Sequence, residues 1–183
     1  MSEPAILMIC GALRAASTNR LLLAEAKRLF GPARWSEADL RLPLYDGDLE
    51  DAEGIPSCVQ RLADQIAAAD GVMIATPEYN KMISGVLKNA LDWVSRTKDT
   101  PWAGKPVALL SAAAGRSGGE RAQSTLRLAL APFRVRIVPG PEVLIADARK
   151  AFDPEGRLLN EHATRGLEKL MADFRHEIAS LSK

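Results

Sequence analysis

Arg14, Ser17, Thr18 and Asn19 stand together in Gly11-Ala-Leu-Arg-Ala-Ala-Ser-Thr-Asn19, between an apolar run, Ala5 to Cys10, and a helical pattern. A guanidinium, two hydroxyls and an amide at a strand-to-helix junction suit an anion. The start of a helix presents unpaired backbone N–H groups and the positive end of a dipole. With one glycine the segment is no GxGxxG turn, and without Gly-Lys-Ser/Thr it is no Walker loop. Side-chain donors in that number fit a single terminal phosphate better than a pyrophosphate pressed against bare backbone. Taken by itself, the segment also reads as an N-capped surface turn.

A second polar segment, Thr76-Pro-Glu-Tyr-Asn80, follows the next strong apolar strand, Gly71 to Ala75, at the equivalent strand end. In open parallel sheets ligands bind beyond the carboxyl ends of the strands, at the switch in strand order. After Pro77 the chain offers backbone amides, a carboxylate, a phenol and an amide, a mixture suited to a flat heteroaromatic ring with polar edges. Its alternative is a proline-initiated turn with a partly buried tyrosine. A third stretch, Ser111-Ala-Ala-Ala-Gly-Arg-Ser-Gly-Gly119, closes a later strand at the same edge. Its glycines permit close approach to a flat ring, and a helix start lies beyond.

The elements that must position these loops alternate strand and helix throughout, with no low-complexity linker, repeat or charge block. Strands are predicted at Ala5 to Cys10, weakly at Arg34 to Ala38, at Gly71 to Ala75 and at Pro106 to Ala113. A last strand falls near Val135 to Val138 or Val143 to Ile145. The third and fourth are near-continuous apolar runs, as in strands covered on both faces. Helices are predicted at Asn19 to Phe30, Pro56 to Ala69, Gly85 to Arg96, Gly119 to Leu130 and Glu161 to Leu181. In the first, Leu22, Leu23, Ala26 and Leu29 or Phe30 recur at helical spacing, so one stripe faces a sheet. The pattern predicts one α/β doubly wound domain across all 183 residues.

Charge and cysteine content exclude several classes. Lys and Arg number 24 against 23 Asp and Glu, which leaves no net field for nucleic acid or an anionic membrane. No apolar stretch approaches the ~20 residues of a membrane span, and Glu3 and Pro4 occupy the place of a basic signal start. A cytoplasmic protein is the expectation. The two cysteines, Cys10 and Cys58, give neither a disulfide framework nor metal-ligand spacing. His162 and His176 have no metal-ligand partners in sequence, so no metal is expected. Glu78 could be read as a general base or metal ligand, but no histidine or second carboxylate lies at helpful spacing.

GALRAASTN, LPLYDGDLE (42 to 50), TPEYN and SGVLKNALDW (84 to 93) occur in the order seen in the NADPH-dependent FMN reductase family, and the chain resembles that family over residues 4 to 140. The group includes bacterial quinone, chromate and azo-dye reductases. The resemblance implies a flavodoxin-like sandwich with a five-stranded parallel sheet in the order 2-1-3-4-5 and helices on both faces. It also implies bound FMN, NADPH or NADH as co-substrate, and a homodimer or dimer of dimers. Its cofactor-binding positions are Gly11, Leu13, Arg14, Ser17 and Asn19 toward the phosphate, with Pro77, Glu78, Tyr79 and Asn80 lining the ring and ribityl groups. Ser111 and Gly115 belong to the third flavin-side loop.

Arg14 is the expected phosphate ligand, since a monoester dianion matches a guanidinium and oriented N–H donors. Ala12 departs from the serine usual in the family, which predicts weaker FMN binding. Lys81, Met82 and Ser84 depart too, and Met82 would narrow or grease the substrate entrance. Arg116 either meets the 2′-phosphate of NADPH or is a solvated loop arginine. Tyr45, with Asp46, resembles the acceptor-side wall and otherwise reads as polar loop. In the helix 85 to 96, Val86, Ala90 and Trp93 form one stripe and Leu87, Leu91 and Val94 another, which means subunit contact or a wide buried face.

The activity implied is hydride transfer from a nicotinamide, through FMN that carries the chemistry without a protein catalytic group, to a small-molecule acceptor in a ping-pong cycle. The acceptor could be a quinone, free flavin, chromate or an azo compound. The rival is a flavodoxin-type single-electron carrier, which is usually strongly acidic, unlike this chain. A third reading is a phosphate-binding α/β protein with no flavin.

Overall fold

The computed structural model describes residues 3–181. In chain order it contains β1 (Ala5–Cys10), α1 (Thr18–Phe30), β2 (Arg34–Glu37), α2 (Gly47–Glu53), α3 (Ser57–Ala68), β3 (Gly71–Thr76), α4 (Gly85–Ser95), β4 (Pro106–Ala112), α5 (Glu120–Leu130), β5 (Arg136–Ile137), β6 (Val143–Ile145) and α6 (Glu161–Leu181). The strands are parallel in the order β2-β1-β3-β4, with β5 and β6 both pairing β4.

Alternation along each strand divides the core into two layers. Val72 and Ile74 of β3 join Leu7, Ile9, Val107 and Leu109 against Leu62 and Ile66 of α3, Leu87 and Leu91 of α4 and Leu126 of α5. Met73 and Ala75 join Ile6, Cys10, Ala108 and Leu110 against Leu22 and Ala26 of α1 and Leu167, Leu170 and Phe174 of α6. Adjacent strand residues point to opposite faces, so a strand buried on both must be apolar throughout, as β3 and β4 are. Each fully buried Leu, Ile or Phe contributes about 1.5–3 kcal/mol through loss of apolar area to water.

Both candidate segments for the last strand are strands. β5 pairs Pro106 and Val107 at the start of β4, and β6 pairs Leu110 to Ala112 at its end. Between them Pro139 and Pro141 lack the N–H that a continuous ladder needs. The expected five-stranded sheet therefore has its last position divided between two short strands. At the other edge β2 is short and mostly exposed, and Ala38 N–H still reaches the Met8 carbonyl at 2.9 Å just beyond it.

Helix α2 is an element the periodicity does not predict, because it buries no residue. Its ends hold it: the Asp46 side chain accepts from Asp48 N–H at 3.0 Å, and Gly54 closes the far end with a φ of 75°. The wide apolar face of α4 is covered within the chain. Trp93 is fully buried and donates Nε1–H to the Pro43 carbonyl at 2.8 Å. Asn89 donates to the same carbonyl at 2.8 Å and accepts from Tyr45 N–H at 2.8 Å, which straps residues 43–45 across the helix. Among the described residues no helix is long and apolar enough to cross a membrane.

Candidate functional site

Register brings the three loops together. Cys10 lies opposite Ala75 and Thr76 opposite Ser111, so β1, β3 and β4 release their loops at one level. Gly11 lets the first two approach closely: a Cβ there would lie 3.2 Å from Pro77 Cδ and 3.3 Å from Thr76 Cα, tighter than ordinary contact. Its N–H donates to Ala75 O at 2.8 Å, and its carbonyl accepts from the buried Ser84 hydroxyl at 2.5 Å. Ser84 also caps α4 by accepting from Leu87 N–H. Gly11 thus sets loop spacing and is buried.

Above these loops opens a cleft of about 560 Å3, walled by Ala12, Arg14, Ala16, Ser17, Thr18 and Asn19 from the first loop and Pro77, Glu78 and Tyr79 from the second. Ala112 and Ala114 contribute small side chains from the end of β4, and Ala148 and Arg149 complete the wall. The volume is in the range of small-ligand sites, about 300–1,000 Å3.

The α1 end of the cleft carries donors suited to an anion. Ser17 caps the helix, its hydroxyl oxygen accepting from Asn19 N–H at 3.2 Å. Among the described residues Thr18 N–H has no acceptor, and the first turn of α1 contains no acidic residue. Arg14 is exposed and, among the described residues, has no ion pair or hydrogen bond. Asn19 is turned inward instead. Its amide donates to Ala112 O at 2.9 Å and accepts from Ala112 N–H at 3.0 Å, locking α1 to β4. Beneath, burial pushes the Cys10 thiol above its usual range, against the opposing effects of the Ala12 backbone, Arg20 and Ser17. A neutral buried thiol is an inert one.

The second loop is a two-residue hairpin: Tyr79 N–H donates to Met82 O at 3.0 Å and Met82 N–H to Tyr79 O at 3.1 Å. Asn80 and Lys81 take φ of 51° and 66°, the positive values a tight turn of this kind requires. The Tyr79 ring is half exposed at the cleft. Glu78 has a structural task that its spacing did not reveal. Its carboxylate accepts from Arg121 N–H at 3.1 Å and Ala122 N–H at 3.2 Å, capping α5, whose own cap residue Gly119 offers no side chain. Among the described residues the N–H groups of Glu78 and Asn80 have no acceptors.

Ser111 is fully buried rather than facing the cleft. Its hydroxyl donates to Gly118 O at 2.6 Å and accepts from Gln123 at 3.1 Å, while Gln123 also donates to Val143 O at 2.8 Å. This hub joins β4, the 113–119 loop, α5 and β6. Gly118 fits there through its φ of 61°, and a Cβ would come within 2.6 Å of the Leu144 backbone.

The cleft wall leaves out eight positions singled out in the sequence: Gly11, Leu13, Asn80, Ser111, Gly115, Tyr45, Met82 and Arg116. Leu13 packs on the α3, α4 and α5 layer, and its carbonyl accepts from Arg41 at 3.2 Å. Gly115 and Arg116 lie on the loop above β4, with Arg116 exposed. Met82 is half exposed at the end of its hairpin. Tyr45 packs edge-on against Trp93, with ring centroids 5.0 Å apart, and donates its hydroxyl to Glu50 at 3.1 Å. Glu50 in turn accepts from Arg96 Nε at 2.9 Å. That contact holds the Glu50 carboxyl below its usual range, while the Glu50 hydrogen bond raises the Tyr45 phenol above its own. Ala148 and Arg149 were missed, since neither belongs to a loop motif; a lone basic residue after a short strand is their only signal.

The family model for NADPH-dependent FMN reductases matches residues 4–150. This chain belongs to that family. It is 48% identical over 160 residues to an NAD(P)H-dependent FMN reductase of Pseudomonas aeruginosa, covering 86% of each protein. It is 39% identical over 156 residues to a quinone reductase of Escherichia coli K12, covering 82% of this chain and 81% of that one. Among solved structures, a flavoenzyme NAD(P)H:(acceptor) oxidoreductase from Paracoccus denitrificans superposes with a TM-score of 0.86 at 29% identity, covering 97% of this chain and 98% of the other. The flavodoxin-like order, the enzyme class, and FMN with NAD(P)H as cofactors accord with the family expected from the loops.

Proposed function

We propose that the chain is an FMN-dependent NAD(P)H oxidoreductase in which the 560 Å3 cleft holds the flavin. The observation that carries this reading is that Arg14 and Tyr79, from loops after different strands, wall one cleft. FMN held there would supply the redox chemistry, two-electron transfer from NAD(P)H to a quinone, free flavin, chromate or azo acceptor in a ping-pong cycle. The chain's residues bind and orient. Arg14, Ser17 and the α1 N-terminus with its free Thr18 N–H hold the phosphate. Small Ala112 and Ala114 leave room for a flat ring, and the Glu78 and Asn80 N–H groups are donors for its polar edge. Asn19, Ser111 and Glu78 act through the backbone they fix.

The acceptor side of the proposal comprises Tyr45, Met82 and Arg116, which lie outside the flavin cleft wall and so remain for the second substrate. Arg116 is exposed and is assigned to the 2′-phosphate of NADPH; an Arg116→Ala change is then expected to lower the NADPH to NADH efficiency ratio, and an unaltered ratio removes the assignment. The proposal includes a cytoplasmic homodimer or dimer of dimers, in which a second copy covers the half-exposed Tyr79 and Met82.

Purified protein reconstituted with FMN tests the reading directly. It is expected to be yellow and to bleach on anaerobic addition of NADPH. Yellow protein that does not bleach is a single-electron carrier, and protein that ignores FMN has a different ligand.

A further inference from the structure

Arg149 is the second guanidinium on the cleft, and it comes from none of the three motif loops. Its backbone is held in a tight turn beyond β6. Ala148 is buried and donates its N–H to Ala113 O at 3.1 Å, at the end of β4. Lys150 N–H reaches Asp147 O at 2.8 Å, and Asp147 turns the chain with a φ of 44°. The turn therefore delivers the Arg149 side chain to a wall shared with Arg14, Ala16, Ser17 and Thr18.

Among the described residues the Arg149 side chain has no ion pair or hydrogen bond, and it is exposed. Glu78, the one acid in the cleft wall, is occupied by two N–H groups of α5. Two guanidiniums without side-chain partners among the described residues and a helix N-terminus thus bound one cleft against a single carboxylate, an excess of positive charge that suits an anion. A phosphomonoester carries about −1.5 to −2 at neutral pH and offers three acceptor oxygens.

Resting on the reading of this cleft as an FMN site, we propose that Arg149 is a specificity-determining residue which, with Arg14, grips the flavin phosphate and makes the cleft select the phosphomonoester over unphosphorylated flavin. A phosphate on the nicotinamide substrate is the other anion available. Sharing a wall with the first residues of α1 places Arg149 with the flavin phosphate.

Apoprotein is titrated with FMN and with riboflavin, following flavin fluorescence at low and high salt, for wild type, Arg149→Ala, Arg149→Lys and Lys150→Ala. Lys150 is the control, an exposed cation of the same turn that lies outside the cleft wall. Arg149→Ala is expected to raise the FMN Kd by about tenfold or more and to leave the riboflavin Kd unchanged, with Lys restoring part of the loss. The FMN difference should shrink at high salt, and Lys150→Ala should match wild type. An unchanged FMN to riboflavin ratio in Arg149→Ala overturns the proposal, as does an equal loss in Lys150→Ala. A change confined to the KM for NADPH also overturns it, moving Arg149 to the nicotinamide. Wild-type protein that binds FMN no better than riboflavin defeats the FMN reading itself, before any variant is compared, and the role of Arg149 with it.

Discussion

Asn19 and Ala112 exchange two hydrogen bonds, 2.9 Å from the side-chain amide to the carbonyl and 3.0 Å from the backbone N–H to the side-chain oxygen, across 93 positions of chain. The amide is 1% exposed, so it cannot turn outward to a ligand. It completes the ladder where β4 ends and fixes the start of α1 above it. The first loop is preorganised by this pair.

Replacing Asn19 with Ala leaves the Ala112 N–H and carbonyl without partners in a buried place. The expected loss is about 2–3 kcal/mol of stability, measured by urea unfolding of the apoprotein. Asn19→Asp should also be destabilised, since a carboxylate would face the Ala112 carbonyl. A variant as stable as wild type would mean that water replaces the amide.

Arg14 has the opposite character, exposed and without a partner among the described residues. Arg14→Ala should therefore unfold at the wild-type urea concentration while its FMN Kd rises about ten- to a hundredfold, the loss of one charge-assisted contact. Fluorescence titration reads the second quantity. Retained wild-type affinity would place the phosphate elsewhere.

Tyr45 and Tyr79 are the two tyrosines of the chain, and the phenols differ in setting. The Tyr45 hydroxyl donates to Glu50, so ionising it breaks that bond and sets a phenolate beside a carboxylate. In a Tyr79→Phe background, ultraviolet titration should find a single phenol ionising above the ordinary range of about 10. Adding Glu50→Gln should bring it down, and no movement would show that the contact is absent in solution.

Glu25 is buried on α1 and accepts two hydrogen bonds of 2.8 Å from Arg28 and one of 3.4 Å from Arg157 in the segment before α6. The Arg28 hydrogen bond, aided by the charges of Arg28 and Arg157, holds its carboxyl below the usual range against burial. With a depressed folded pKa the unfolded chain binds the proton first. The stabilisation is therefore complete above the ordinary carboxylate pKa and is lost as pH falls through the folded value. Glu25→Gln should be less stable than wild type at pH 7 by about 1–2 kcal/mol, with the gap closing in acid below about pH 4. Urea unfolding across pH checks this, and a gap that does not vary with pH would assign the loss to packing.

Much of the fold was legible because burial of a parallel sheet on both faces leaves near-continuous apolar strands, as in Gly71–Thr76 and Pro106–Ala112. The last strand resolved into two because Pro139 and Pro141 interrupt the ladder, while either flanking run alone could pair with β4. Helix α2 was invisible to periodicity, having no buried face, although Asp46 and Gly54 mark its ends. The Trp93 stripe was apolar for a reason close at hand: the Pro43 to Tyr45 strap covers it.

By itself the sequence determined the alternation of strands and helices, the loops at the carboxyl edge and the donors they carry, since these follow from local periodicity and from which residue types begin helices. Tertiary structure decided which of those groups remain free. Asn19, Glu78 and Ser111 have side chains suited to a ligand, yet Asn19 and Glu78 meet backbone groups of distant elements and Ser111 meets the Gly118 carbonyl of the loop after its own strand, and an unmatched backbone group is costly where it is buried. Arg14 and Arg149 meet none among the described residues, and only folding brings residues so far apart in the chain to the same wall.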